Sequence, residues 1–254
     1  SLLIFIGIVA RLPYVLRMEF WDFVTNDKSI FLELGVVIMI ILITAFTVLL
    51  TQGTRKIPVQ YAKRVVGRRV YGGQSTHIPL KVNVSGVMPI IFAQAIMFLP
   101  ATLAGFMPGS ELMQELALAF SPGATWQSMP YWVFYSILII FFAYFYTAIV
   151  FNPIDLADNM KRQGGFIPGI RPGKRTSDFI DHILTRITLP GSICLAAVAV
   201  VPFFIINYLG VHSGLESVFG GTGVLIMVGV ALDTLQQVES HLLMRHYDGF
   251  IIKK

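Results

Sequence analysis

This sequence predicts an all-α fold, a polytopic transmembrane helix bundle, on three observations. Hydrophobic residues make up 55% of the 254 and charged residues only 13%, with a mean hydropathy of +0.72, whereas soluble domains carry about 25% charge. The apolar residues gather into runs near the roughly 20 residues that cross about 30 Å of hydrocarbon. Those runs lack strand-like alternation, and in lipid each backbone N–H and C=O must be satisfied within its own segment, which leaves helices. The single cysteine, Cys194, excludes an internal disulfide framework and any multi-thiolate zinc or iron-sulfur site.

Taken in order, the first apolar segment covers residues 1–16. It starts already inside apolar sequence, with no initiator Met, basic leader or cleavage signal, and so predicts a truncated helix and a fragment of a longer chain. Further transmembrane helices are expected over 31–50, 87–107, 131–151, 187–209 and 219–238, with long connections over 51–86 and 152–186 and a tail over 239–254. Pro89 and Pro100 in the third segment and Pro202 in the fifth each remove a backbone hydrogen bond and can kink a helix. Gly220, Gly221, Gly223 and Gly229 leave the start of the sixth loosely specified. Proline and glycine are also frequent in membrane helices at large. Tyr131, Trp132, Tyr144 and Tyr146 suit interfacial anchoring and core packing equally.

Charge separates the connections. Residues 51–86 contain Arg55, Lys56, Lys63, Arg64, Arg68, Arg69 and Lys81 with no acidic residue. Residues 152–186 add Lys161, Arg162, Arg171, Lys174, Arg175 and Arg186, and the tail adds Arg245, Lys253 and Lys254, so these segments hold 16 of the 19 basic residues. If every segment spans once, all three lie on one side. The positive-inside rule makes that side the cytoplasm. Positive-inside topology with headgroup contact is one account of the basic loops. The other is a docking surface for a large acidic partner, because the loops exceed what a helix hairpin requires. Paired forks at Arg68 and Arg69, and Arg171 held out between Pro168 and Pro172, suit the second account. The Gly-Pro punctuation predicts ordered hairpins.

Catalytic signatures are missing. The Gly173-Lys174-Arg175 run has Pro168 where a P-loop needs its first glycine. The five histidines show no H-E-x-x-H spacing, and no G-x-S-x-G elbow occurs. No catalytic residue, metal site or cofactor is expected. The apolar segments hold almost no ionisable group. That weighs against an ion-coupled secondary transporter, as the missing nucleophile and base weigh against an intramembrane enzyme.

Three blocks resemble the SecY family of the Sec translocon, in its bacterial form. The first is Tyr61-Ala62-Lys63-Arg64 with the run from Gly67 to Asn83. The second is Phe151-Asn152-Pro153 with Ala157-Asp158-Asn159 and the run from Gly164 to Gly173. The third is Phe219-Gly220-Gly221-Thr222-Gly223 through Asp233 to Gln236-Gln237-Val238-Glu239. The resemblance implies a ten-helix channel of which these segments match the fifth to the tenth helix, with 87–107 and 131–151 as lateral-gate helices. It implies a subunit without enzymatic activity or cofactor. Such a subunit conducts unfolded secretory polypeptides across the bacterial cytoplasmic membrane and releases hydrophobic segments into it, driven by the SecA motor or the ribosome. It also implies a pore ring of Ile4, Ile91 and Ile226. Partner contacts are implied at Lys63, Arg64, Arg68, Arg69 and Arg171. The implied partners are the SecE and SecG subunits, the SecA motor, the ribosome with its ribosomal RNA, the nascent or secretory polypeptide, and membrane lipids.

Overall fold

The structure, a computed structural model, describes residues 2–25, 30–61, 64–66, 69–71, 75–106, 114–115, 118–120, 128–208 and 221–251. It is an all-α bundle that carries a small β-sheet, and it divides into two compact units, Ser1–Val48 with Val198–Lys254, and Leu49–Ala197. Three helical stretches among the described residues are long and apolar enough to cross a membrane, Leu34–Gln52, Met129–Arg162 and Lys174–Ile205, and Met88–Pro100 is a shorter apolar helix.

In the first unit, the segment expected as one helix over 1–16 is two helices, α1 (Leu2–Val9) and α2 (Leu12–Thr25). Pro13 explains the break. It has no N–H to give to Val9, and its ring would strike that residue's carbonyl, but it is tolerated in the first turn of a new helix. The chain turns where the Arg11 N–H donates to the Ile8 carbonyl at 3.1 Å. Helix α3 (Ile30–Gln52) follows, and Val15, Val36 and Met39 form a buried cluster with Ile8, Leu12, Ile40, Ile43 and Met227 around it. Met227 lies on the last helix of the chain, α8 (Gly221–Ile251), which also packs on α1. Helix α8 continues through most of the tail expected over 239–254. Leu235, Gln236, Gln237, Glu239, Leu242 and Met244 are good helix formers, and neither Gly nor Pro interrupts them before Gly249.

The second unit begins where α3 ends. Strand β1 (Thr54–Tyr61) runs antiparallel to β4 (Ser75–Lys81) from the Thr54–Lys81 pair to Gln60–Ser75. Between them, β2 (Arg64–Val66) and β3 (Arg69–Tyr71) form a two-stranded ribbon with Val66 opposite Arg69. Ile57 and Val59 are buried and alternate with exposed Lys56, Pro58 and Gln60, the period of a strand with one covered face. Helix α4 (Met88–Phe106) starts just after the hairpin. Pro89 is therefore a first-turn residue and only Pro100 lies inside the helix. Helix α5 (Met129–Val150) buries Tyr131, Tyr135, Ile139, Ala143 and Thr147, a stripe of four-residue spacing, and packs on α4.

Residues 152–186, expected as one loop, fold instead into α6 (Pro153–Arg162), β5 (Gly165–Phe166) and the first turns of α7 (Lys174–Tyr208). Helix α7 starts well before residue 187 because Ile180, Ile183, Leu184 and Ile187 recur at helical spacing and no proline intervenes before Pro190. The apolar run marks where lipid depth starts, and the hydrogen-bond ladder extends past it. Strand β5 pairs with β1 at Gln60–Phe166 and Tyr61–Gly165, giving a three-stranded sheet ordered β4-β1-β5. The two long connections are thus one module. Its core joins Ile57, Val59 and Leu80 of the sheet to Met160 of α6, Ile167, and Ile180, Ile183 and Leu184 of α7.

Candidate functional site

The basic sheet positions its side chains through local signals. Helix α6 is capped by Asn152, whose side-chain oxygen accepts the Ile154 N–H at 3.1 Å while its amide donates to the Asp155 carboxylate at 2.8 Å. Pro153 occupies the first turn, Asp155 sits at the positive end of the helix, and Lys161 and Arg162 sit at the negative end. Both basic residues are exposed, as are Arg55, Lys56 and Lys81 on the hairpin. Exposed Asp155 and Asp158 lie on α6, and exposed Asp178 and Asp181 on α7, so the positive charge is strongest on the strands and on the turn before α7.

That turn presents Arg171. Gly169 and Gly173 flank it at φ +83° and +111°, a left-handed backbone that other L-residues enter only with strain. The buried Thr176 hydroxyl donates to the Arg171 carbonyl at 3.0 Å, and the Thr176 N–H donates to the Gly173 carbonyl at 2.9 Å. The Arg171 backbone is pinned while its side chain is exposed. Arg64 and Arg69 lie on β2 and β3, and Lys63 and Arg68 lie outside the described residues. The sheet therefore holds the hairpin and the Arg171 turn on one module, although they are about 100 residues apart. Thr176 was not singled out in the sequence, and Gly165 entered there only as a member of the run from Gly164 to Gly173. Gly165 is closely packed, since a Cβ there would lie 3.1 Å from the Tyr61 ring and 3.3 Å from Val59 and would press on both side chains. The alternation of Ile57, Val59 and Tyr61 against Ile78 and Leu80 was the available signal for the strands.

Of the three isoleucines expected in a ring, Ile226 is buried on α8 at 6% exposure, in the first unit. Ile4 belongs to α1, which packs on α8. Ile91, half-buried, lies on α4 in the second unit. On α4, Phe92 meets Phe142 and Tyr146 of α5 at ring-centroid distances of 5.9 and 5.3 Å, and Gln94 is exposed. Tyr131 and Trp132 are buried and packed edge to face, 4.9 Å apart. The Tyr144 hydroxyl instead reaches the Thr185 carbonyl of α7 at 3.3 Å.

A bundle of apolar helices bearing a basic, folded module between its spans defines a multi-pass membrane protein. A family model described as SecY matches residues 1–235. The chain belongs to the SecY family. It is 44% identical over 266 residues to the protein translocase subunit SecY of Mycobacterium leprae, covering 99% of this chain and 57% of that relative. It is also 44% identical over 259 residues to the Streptomyces galbus subunit, covering 99% and 56%, and 43% identical over 263 residues to that of Chlamydia trachomatis, covering 100% and 56%. The chain thus spans a little over half the length of these curated relatives. Among solved structures, one of SecY concerned with its plug domain and the closed translocation channel superposes with a TM-score of 0.59 at 17% identity, covering 93% of this chain and 59% of that one. A structure of a protein-conducting channel gives 0.54 at 17% identity, covering 89% and 53%. At that identity the likeness establishes the fold.

Proposed function

We propose that this chain forms part of a protein-conducting channel that passes unfolded secretory polypeptides across the cytoplasmic membrane and releases hydrophobic segments into lipid. The observation that carries this reading is the 44% identity to protein translocase subunits across 99% of the chain. Physical features support it. The spans are apolar, and among the described residues most of the exposed positive charge is gathered on the sheet, α6 and the first turns of α7, with Arg11 and Arg17 exposed elsewhere. In this reading the module and the tail face the cytoplasm by the positive-inside rule, and Arg64, Arg69 and Arg171, with Lys63 and Arg68, meet the acidic surface of a ribosome or of the SecA motor. SecE and SecG complete the membrane complex. Ile4, Ile91 and Ile226 form an aliphatic constriction that narrows the pore, disfavours water and gives a passing chain no hydrogen bond at which to stick. Helices α4 and α5 form one side of the lateral gate.

The full-length protein, purified with its companion subunits and placed in lipid vesicles, is expected to import a secretory precursor into the lumen when motor and ATP are supplied. Precursor that stays protease-accessible in vesicles with correctly inserted complex would refute the reading.

A further inference from the structure

We propose that Gly191 is a positioning residue, a notch on α7 that seats Val82 and joins the foot of the basic hairpin rigidly to α7 and to the start of α4. Val82 directly follows β4. Its N–H donates to the Gly53 carbonyl at 2.8 Å, and the Gly53 N–H donates to the Leu49 carbonyl of α3 at 2.9 Å, so the foot of the hairpin is closed by backbone hydrogen bonds. Helix α7 comes against this foot with no side chain between. A Cβ on Gly191 would stand 2.8 Å from the Val82 carbonyl oxygen and 3.1 Å from its Cγ1. The first contact is closer than carbon and oxygen tolerate, and the atom it meets is backbone, so it cannot swing aside as a flexible side chain would. Ser192 and Leu195, the next positions on that part of α7, are buried.

Beyond Val82 the route to α4 is short and braced from within. The Asn83 amide donates to the Gly86 carbonyl at 3.1 Å, the Ser85 hydroxyl donates to Asn83 Oδ1 at 3.2 Å, and α4 begins at Met88. The sheet above the foot is fastened to α6 and α7 by the core around Leu80 and Ile180. With both ends held, the hairpin, the first half of α7 and the start of α4 form one body. A load placed on the strands or on Arg171 reaches α4 without being absorbed in a loose joint. The consequence for gating rests on the channel reading of α4, whereas the close seat of Val82 on Gly191 does not.

The experiment uses the full-length chain in its membrane complex in nanodiscs, with Cys194→Ser and any further cysteine of the complex replaced to clear the background. Spin labels are placed at Thr76, exposed at the far end of β4, and at Ile193, exposed on α7. We expect one narrow distance distribution, which shifts and broadens progressively in Gly191→Ala, Gly191→Val and Gly191→Leu, and narrows in part when Gly191→Ala is combined with Val82→Ala. Gly105→Leu on α4 is the control, since a Cβ there meets nothing within 4 Å, and it should leave the distribution unchanged. In vesicles, Gly191→Leu should leave motor affinity intact and lower precursor transported per bound motor by about tenfold, within the usual range of coupling between sites. Unchanged distances in all three Gly191 variants would overturn the proposal. Loss of folded protein with native distances in what remains would also overturn it, since that is ordinary packing. If the unsubstituted complex transports nothing, the channel reading fails and the distances still decide the joint.

Discussion

At the scale of single residues, Arg171 and Ile226 are read in opposite ways. Arg171 has a fixed backbone and an exposed side chain, so replacing it by Glu removes a positive fork and adds a negative charge without disturbing the Thr176 hydrogen bond to its carbonyl. Arg171→Glu is expected to insert at normal levels and to lose most motor- or ribosome-dependent transport. Measuring secretion alongside abundance checks this, and normal secretion would remove the docking role. Ile226 is buried at 6% exposure on a helix that packs within its own unit. If it belongs to the constriction, Ile226→Asn should wet the pore, raise ion leak and admit precursors with defective signal sequences, because an amide holds water where a branched alkyl group does not. A purely packing isoleucine would behave otherwise, since an unpaired buried amide costs roughly 2–7 kcal/mol and lowers the amount of folded protein. Conductance and abundance measured on the same variant separate the outcomes, and low abundance without leak would take Ile226 out of the ring.

At the scale of elements, the hairpin, α6 and α7 hold each other. Leu80 is almost fully buried in the core they share. Leu80→Ala is expected to destabilise the module by about 2–5 kcal/mol, seen as faster hydrogen exchange along β1 and β4 with the spans unaffected. Asn152→Ala should cost about 1 kcal/mol through the lost N-cap, and its exchange effect should stay near the first turn of α6. Equal effects from the two variants would argue against a core centred on the sheet. From the sequence both segments are expected as basic loops, and its signals for these elements go unused: Ile57, Val59 and Tyr61 alternate as a strand does, and Asn152-Pro153 suits a helix start. The extent of α7 and α8 was harder to see, because hydropathy measures fitness for lipid and says little about where a helical hydrogen-bond ladder ends.

At the scale of the molecule, the chain forms two compact units and spans a little over half the length of its relatives. Large apolar side chains remain exposed along α3, α4 and α5, among them Phe31, Leu42, Leu49, Phe98, Phe141 and Ile149. In a multi-pass membrane protein such apolar surface suits contact with lipid, and under the channel reading proposed above companion chains would share it. The SecE subunit is expected to brace the complex, so that removing it in detergent lowers the thermal midpoint and abolishes transport. An intact subunit that stayed folded and active alone would contradict this.

The sequence by itself determined the membrane class, the clustering of positive charge outside the apolar segments, and the family. Each of these depends on composition or on contiguous motifs such as the runs 67–83 and 164–173. Tertiary structure alone decided that the two basic connections are one module, through pairing of Tyr61 with Gly165, and that Gly191 lies against Val82. The physical reason is range. Hydropathy and turn chemistry act between neighbours in the chain, whereas a strand pair or a glycine notch exists only once residues about 100 positions apart have been brought within van der Waals contact.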